Sequence, residues 1–355
     1  MTELTVHTSS PYRILIGRGC LPLAGRAAAG IFHPGAHAVV VTDSNVAPLY
    51  AEKVRASLEA SGFCASVLVF PAGEAHKRLA AIETMYAAFA GNGLTRSDFA
   101  VALGGGVTGD MAGFAAATWL RGIRFIQIPT SLLAQIDSSI GGKTGVDTAE
   151  GKNLVGAFHQ PSLVLIDPDT LATLPPRFFA DGMGEAIKHA CIKSRPLFDF
   201  ICREDVRNEP ERLITENLKI KRAAVEQDEF DNGERMKLNF GHTFGHALEM
   251  LHGYRGLSHG EAVGIGMVMM TKCGEAAGLT EAGTSEKIAG ALRKYGLPTE
   301  DSGASGCVDR IVDTAMMDKK ARGGTVSLVM LKRIGESFLY PVGRERLREL
   351  AEVLR

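Results

Sequence analysis

The chain has 355 residues, more than one average domain, and its 45% hydrophobic and 22% charged composition supports sizeable buried cores and argues against disorder. Its 39 Lys and Arg against 40 Asp and Glu leave a net charge of -1, which argues against nucleic acid or an anionic membrane as the main partner. A small polyanion held by a local cluster of lysines stays compatible with that total.

Six cysteines, Cys20, Cys64, Cys191, Cys202, Cys273 and Cys307, are scattered and form no Cys-x-x-Cys pair, against both a disulfide framework and a cysteine zinc site. The start, MTELTVHTSS, carries no basic and apolar leader, and apolar stretches such as 125–136 are too short and too polar to span a bilayer. The expected compartment is a reducing cytoplasm.

In chain order, residues 38–42 (AVVVT) predict a buried strand, followed by Asp43, Ser44 and Asn45. Residues 65–70 predict a second strand and 79–91 an alanine-rich helix. Strands follow at 99–103, running into three glycines, at 124–128 and at 163–166. This alternation predicts a parallel α/β sheet. Leu-Pro-Pro at 174–176 interrupts any helix and marks a boundary, giving an α/β domain over 1–173 and a mainly helical one over 174–355. Beyond it, amphipathic stretches at 185–202, 210–227, 240–251, 260–277 and 285–295 predict helices, and 325–331 with 336–341 a hairpin.

Gly104, Gly106 and Gly109 satisfy G-x-G-x-x-G, between a strand and a helix expected to begin near Asp110. Glycines there let backbone N–H groups approach a pyrophosphate at a helix start. In the usual dinucleotide fold the ribose-binding acid follows the loop by roughly 20 residues. Here the candidate acid, Asp43, precedes it on another strand, so the order is not the standard one. Loops at 137–143 and 151–153 add Asp137, Lys143, Lys152 and Asn153. The Gly-Gly-Lys143-Thr run lacks Walker A spacing, since Asp137 stands where its first glycine belongs, and ATP hydrolysis is set aside.

His242 and His246 stand at i and i+4, sharing one helix face, where both imidazoles can point at one ion. His259 follows in an expected loop beside Glu261, and Glu185 and Lys188 lie on an earlier helix. The absence of His-Glu-x-x-His leaves a metalloprotease without its base. Gly241 and Gly245 weaken the helix beside both histidines, which favours a functional reason for them. Spacing alone selects His242, His246 and His259 as ligands.

Together the motifs resemble 3-dehydroquinate synthase, a sugar-phosphate cyclase family. The matching stretches are GEAHK from Gly73, LGGGVTGDMAGFAA from Leu103, PTSLLAQIDSSIGGKTGVD from Pro129, GKNLVGAFHQP from Gly151, GMGEAIKHA from Gly182, RMKLNFGHTFGHALE from Arg235, HGEAV from His259 and DKK from Asp318. They run in order over nearly the whole chain.

The resemblance implies an NAD-binding α/β domain with a Rossmann-like sheet, a helical metal- and substrate-binding domain and a homodimer. It implies Glu185, His242 and His259 as ligands of Zn2+, or of Co2+, with His246 moved to a place behind the ligands or in contact with substrate. It implies NAD along Asp43, Asn45, Glu74, Lys77, Gly105, Gly106, Val107, Asp110, Thr130, Ser131, Leu133, Lys143, Lys152, Thr173 and Leu174. It implies substrate contacts from Asp137, Lys143, Asn153, Lys188, Lys221, Arg235, Asn239, His246 and Lys319, and an Arg121 that reaches the phosphate of a substrate on the partner subunit.

The implied reaction converts 3-deoxy-D-arabino-heptulosonate 7-phosphate to 3-dehydroquinate by transient oxidation, phosphate β-elimination, reduction, ring opening and aldol closure. Two other enzyme readings share the scaffold, a related sugar-phosphate cyclase and an NAD- and metal-dependent polyol dehydrogenase. Asn239, His246 and Arg235 favour a carboxylate-bearing substrate over valiolone-type relatives. A non-enzymatic NAD-sensing scaffold predicts binding without turnover.

Overall fold

The computed structural model describes residues 1–253, 256–301, 308–317 and 325–355, and the chain divides into two compact units, Met1–Pro175 and Pro176–Arg355.

The first unit runs β1 (Thr2–Val6), β2 (Tyr12–Ile16), α1 (Ala24–Ala29), β3 (His37–Asp43), α2 (Glu52–Ala60), β4 (Cys64–Phe70), α3 (Leu79–Gly91), β5 (Phe99–Gly104), α4 (Gly106–Thr118), β6 (Arg124–Pro129), β7 (Lys143–Thr148), β8 (Gly151–Phe158) and β9 (Leu163–Ile166). Seven strands form one sheet in the order β1-β2-β9-β6-β5-β3-β4. Every pairing is parallel except β1 with β2, so the sheet is mostly parallel with an antiparallel edge strand.

Strand alternation distributes the core over both faces. Val40, Val101 and Leu165 pack with Ala28, Val54 and Leu58 of the α1–α2 layer. Val39, Val41, Ala100 and Ala102 pack with Met85, Phe89, Met111 and Ala115 of the α3–α4 layer. Chain progression reverses between β3 and β5: β4 lies on one side of β3, and β5 on the other. The carboxyl ends at such a switch point form a ligand crevice in open α/β sheets.

The expected loops at 137–143 and 151–153 need correction. Asp137 lies in a short turn, Ala134–Ser138, while Lys143 and 151–153 belong to an antiparallel β7–β8 hairpin. Glycines 145 and 156 let the two backbones touch there, since a Cβ on Gly156 would sit 2.0 Å from Thr144 O.

The second unit runs α5 (Pro176–Lys193), α6 (Arg195–Arg203), α7 (Pro210–Gln227), α8 (His242–Leu251), α9 (His259–Ala276), α10 (Thr284–Lys294), α11 (Val308–Met317), the antiparallel hairpin β10 (Thr325–Arg333) and β11 (Glu336–Gly343), and α12 (Arg344–Ala351). The single helix expected at 185–202 is two. Ser194 caps α6, its hydroxyl accepting from Leu197 N at 3.2 Å, and Pro196 cannot continue the preceding helix. No helix among the described residues is long and apolar enough to cross a membrane.

Candidate functional site

In the first unit, the glycine loop closes β5 and opens α4. The helix starts at Gly106, four residues before Asp110, so Gly105, Gly106 and Val107 sit at its free N–H groups. No side chain among the described residues caps that end, which leaves donors and the positive helix terminus for an anion. The glycines divide by role. A Cβ on Gly104 would lie 2.4 Å from Thr108 Oγ1, and one on Gly109 2.8 Å from Gln127 Oε1, so these two permit packing. A Cβ on Gly105 would find Ser131 Oγ at 3.5 Å, ordinary contact, so this glycine keeps open space along the loop.

Across the switch point, Asp43 ends β3. Its Oδ1 accepts from Asn45 N at 2.9 Å and Val46 N at 3.2 Å, and its Oδ2 accepts from Thr108 Oγ1 at 3.3 Å. Lys77 is buried. Its ammonium donates to Asp110 Oδ2 and Asn153 Oδ1, each at 2.6 Å, and Glu74 stands 3.9 Å away. Burial opposes its charge, but Asp110 and Glu74 outweigh that and raise its pKa. Asn153 adopts a left-handed backbone, φ 54°, with its N–H donating to Asp147 Oδ1 at 2.8 Å.

Of the other expected cofactor residues, Thr130 N–H donates to Gly104 O at 2.9 Å, Ser131 flanks the loop and Thr173 Oγ1 lies 2.6 Å from Tyr50 OH. Leu133 and Leu174 are half-buried, as is Lys152 on β8. Lys143 is exposed. Arg121 is exposed in a left-handed turn with Leu120, φ 66° and 50°.

In the second unit, three helices meet through glycine. A Cβ on Gly184 of α5 would lie 2.9 Å from Gly260 O of α9, and one on Gly260 2.2 Å from Asp181 O. A Cβ on Gly266 of α9 would lie 2.1 Å from Gly241 O, just before α8, and one on Gly245 3.0 Å from Ala262 O. Gly241 precedes the helix with φ 80°, and Gly245 packs it, so backbone contact accounts for the two glycines that spacing assigns to a functional cause.

These contacts bring Glu185, His242 and His259 together. Their ligand atoms lie within 4.8 Å of one another. Nε2 of His242 and Nε2 of His259 each stand 3.7 Å from Glu185 Oε1. Glu185 is 1% exposed, and its Oε1 has no hydrogen-bond partner among the described residues, while Oε2 pairs with the buried Lys188. A buried carboxylate oxygen facing two imidazole nitrogens fits a metal ion, and one carboxylate with two histidines leaves coordination positions for substrate.

His259 is the first residue of α9 rather than a loop residue. A capping box fixes it: Glu261 N donates to Ser258 Oγ at 3.4 Å, and Ser258 N to Glu261 Oε2 at 2.6 Å. Desolvation, then Lys188 and the neighbouring histidines, hold His242 well below the usual imidazole range, in the neutral form a metal requires. For His259, Glu249 and Glu185 outweigh desolvation and raise the pKa.

His246 stands beside this set, 5.3 Å ring to ring from His242, and groups instead with Glu249 and His259. The i, i+4 face is real, but His242 groups with Glu185 and His259, and His246 with Glu249 and His259, so no single group holds all three histidines among the described residues. Glu249 has no place in the reading from spacing, although an acid three residues after His246, on the same face of the expected helix, is a usable signal.

Lys188, Lys221 and Arg235 are all buried, and Arg235 donates to Glu229 O at 2.6 Å. Asn239 closes the short turn Glu234–Asn239. Lys319 lies outside the described residues.

Two family models match in succession, 3-dehydroquinate synthase N-terminal over residues 67–181 and C-terminal over 182–321. A 3-dehydroquinate synthase of Streptococcus pneumoniae is 46% identical over 344 residues, 96% of each chain. A solved 2-epi-5-epi-valiolone synthase from Streptomyces hygroscopicus subsp. jinggangensis, with NAD+ and Zn2+ bound, is 26% identical, covers 99% of this chain and 98% of its own, and superposes with a TM-score of 0.87. A 2-deoxy-scyllo-inosose synthase, complexed with carbaglucose-6-phosphate, NAD+ and Co2+, shares the fold at 24% identity and a TM-score of 0.84, with 99% of both chains covered.

Proposed function

The chain belongs to the 3-dehydroquinate synthase family, and from that premise we propose how its residues divide the work of the enzyme. The activity is that of 3-dehydroquinate synthase, a phosphate-eliminating carbon–oxygen lyase of the shikimate pathway acting on a sugar phosphate. We infer 3-deoxy-D-arabino-heptulosonate 7-phosphate as substrate, NAD as cofactor and Zn2+, with Co2+ as an alternative, as metal. The observation that carries the metal assignment is Glu185 Oε1, buried without a hydrogen-bond partner among the described residues and faced by two imidazole Nε2 atoms. The NAD+ and Zn2+ in the structure of the valiolone synthase support the same pair of groups.

When bound, NAD accepts and returns one hydride and the metal acidifies a coordinated hydroxyl. Glu185, His242 and His259 would hold the metal. The free N–H groups at Gly105 to Val107 would bind the pyrophosphate, and Asp43, ordered by Asn45, Val46 and Thr108, would accept from ribose hydroxyls. Lys188, Lys221 and Arg235 are buried cations suited to a carboxylate and a phosphate, which they orient with Asn239. His246 moves protons at the substrate hydroxyls. Asp137, Lys143 and Asn153 are the substrate candidates of the first unit, Lys319 a further one, and Arg121 acts on the partner's substrate in a homodimer of the cytoplasm.

The test is incubation with the heptulosonate phosphate, NAD+ and zinc. Phosphate release without net NADH is expected. Stoichiometric NADH would point to a dehydrogenase, and binding of NAD with no phosphate release would overturn the cyclase reading.

A further inference from the structure

Each of the two histidines that face Glu185 has an oxygen near its other nitrogen, a carbonyl in one case and a carboxylate in the other. His242 Nδ1 lies 3.2 Å from Phe240 O, the carbonyl of the chain just before its helix. His259 begins α9, and the preceding carbonyl, Ser258 O, is taken by Ala262 N at 3.0 Å. A side chain from α8 stands in its place: Glu249 Oε1 lies 3.6 Å from His259 Nδ1. Glu249 is 4% exposed, and its carboxylate sits within 4.8 Å of ring nitrogens of both His246 and His259.

We propose that Glu249 is a positioning residue for the metal, holding the Nδ1–H of His259 so that its Nε2 lone pair faces Glu185 Oε1. A neutral imidazole carries one N–H and one lone pair, and the partner of the first decides where the second points. An acceptor at Nδ1 therefore fixes both tautomer and ring orientation, and a carboxylate there also makes Nε2 a stronger donor. Glu249 meets the Nδ1 edge of His259, whereas Glu185 meets the Nε2 edge, so the two acids take opposite sides of one ring.

The inference rests on the proposed metal site, and the test separates the two. Zinc affinity of the full-length chain is measured by chelator competition for the native protein, Glu249→Ala, Glu249→Gln and Glu185→Gln. The native protein is expected to bind one zinc, and Glu185→Gln to lose it. Glu249→Ala should bind about tenfold to hundredfold more weakly. Glu249→Gln, which still accepts from Nδ1–H, should recover most of that loss. A native protein that binds no zinc removes the metal site itself. Native affinity in Glu249→Ala overturns the positioning role and leaves the metal site standing. Loss as complete as in Glu185→Gln makes Glu249 a ligand and overturns it too. Should the alanine variant fail to fold, 15N-histidine spectra of the zinc-loaded native protein decide. His259 protonated at Nδ1 and metal-bound at Nε2 is expected, and the reverse overturns the proposal.

Discussion

Gly104 and Gly105 are adjacent, yet substitution should separate their roles. Alanine at Gly104 drives a methyl into Thr108, a fully buried residue of the first turn of α4, and should cost about 1–3 kcal/mol of folding stability. Alanine at Gly105 meets only Ser131 Oγ at contact distance and has a backbone, φ -77° and ψ -170°, open to any residue. Stability should hold within about 0.5 kcal/mol, while NAD affinity falls by about tenfold. Denaturation and calorimetric NAD titration of both variants check the contrast, and a Gly105→Ala protein with native NAD affinity would remove the loop from the cofactor site. His246 and His259 divide in the same manner. His259→Ala should lose zinc, whereas His246→Ala should keep it and lose about 10²–10⁴-fold in kcat; metal analysis of His246→Ala finding no ion would undo the ligand set. A third residue reports on pH. His159 donates to Ile123 O at 2.8 Å and stacks on Phe125, and burial lowers its pKa despite that bond. The unfolded state then binds more protons once pH falls below about 6.5. Its contribution is complete above that value and drains away as pH falls toward the depressed folded pKa. Urea midpoints at pH 7.5 and 5.5 should differ more for the native chain than for His159→Phe; equal differences would exclude the effect.

Among the elements, α9 does most to assemble the proposed metal site, because its first turn carries His259 and its glycines receive α5 and the start of α8. Gly260→Ala places a methyl 2.2 Å from Asp181 O, a backbone atom that cannot rotate away. The expected cost is about 3 kcal/mol, with weakened zinc binding. Ser258→Ala removes one half of the capping box and should cost about 1 kcal/mol. Thermal denaturation of the two variants ranks them, and a Ser258→Ala loss as large as that of Gly260→Ala would contradict the seam as the dominant constraint. Much of this half was legible in the residues. The stretch at 210–227 matches α7, because Pro210 opens it and its apolar residues recur at helical spacing. The start of α9 was legible too, in Ser258-x-x-Glu261, but the adjoining Gly260 reads locally as a loop signal and only the backbone contact with α5 explains it. The β7–β8 hairpin was hidden for a related reason. Its glycines and charges break the apolar alternation, and β8 keeps Asn153, Leu154, Gly156 and Phe158 exposed, so no buried face betrays the strand. Glu185 escaped any local pattern, since its partners lie far along the chain and meet it only through the crossing of α5 with α9.

For the molecule as a whole, the proposed cofactor and metal residues fall on different units, so each ligand should protect its own. Hydrogen exchange with zinc should slow in α5, α8 and α9, and with NAD in the segments around Asp43 and Gly105. A ligand at 100 times its Kd contributes about 2.7 kcal/mol to the unit that binds it. Protection by zinc confined to the first unit would refute the assignment. The order of the ligands along the chain carries a further consequence. Lys188, Lys221, Arg235, Asn239 and His246 all lie in sequence between Glu185 and His259. An ion held by both ends acts as a clasp on that stretch, closing it into a loop in the folded unit and setting its binding free energy against local opening. Stripping the metal would therefore slacken the very segment that carries the proposed substrate-binding cations. Chelation should weaken binding of an unreactive sugar-acid phosphate, a loss that needs no chemistry to be seen.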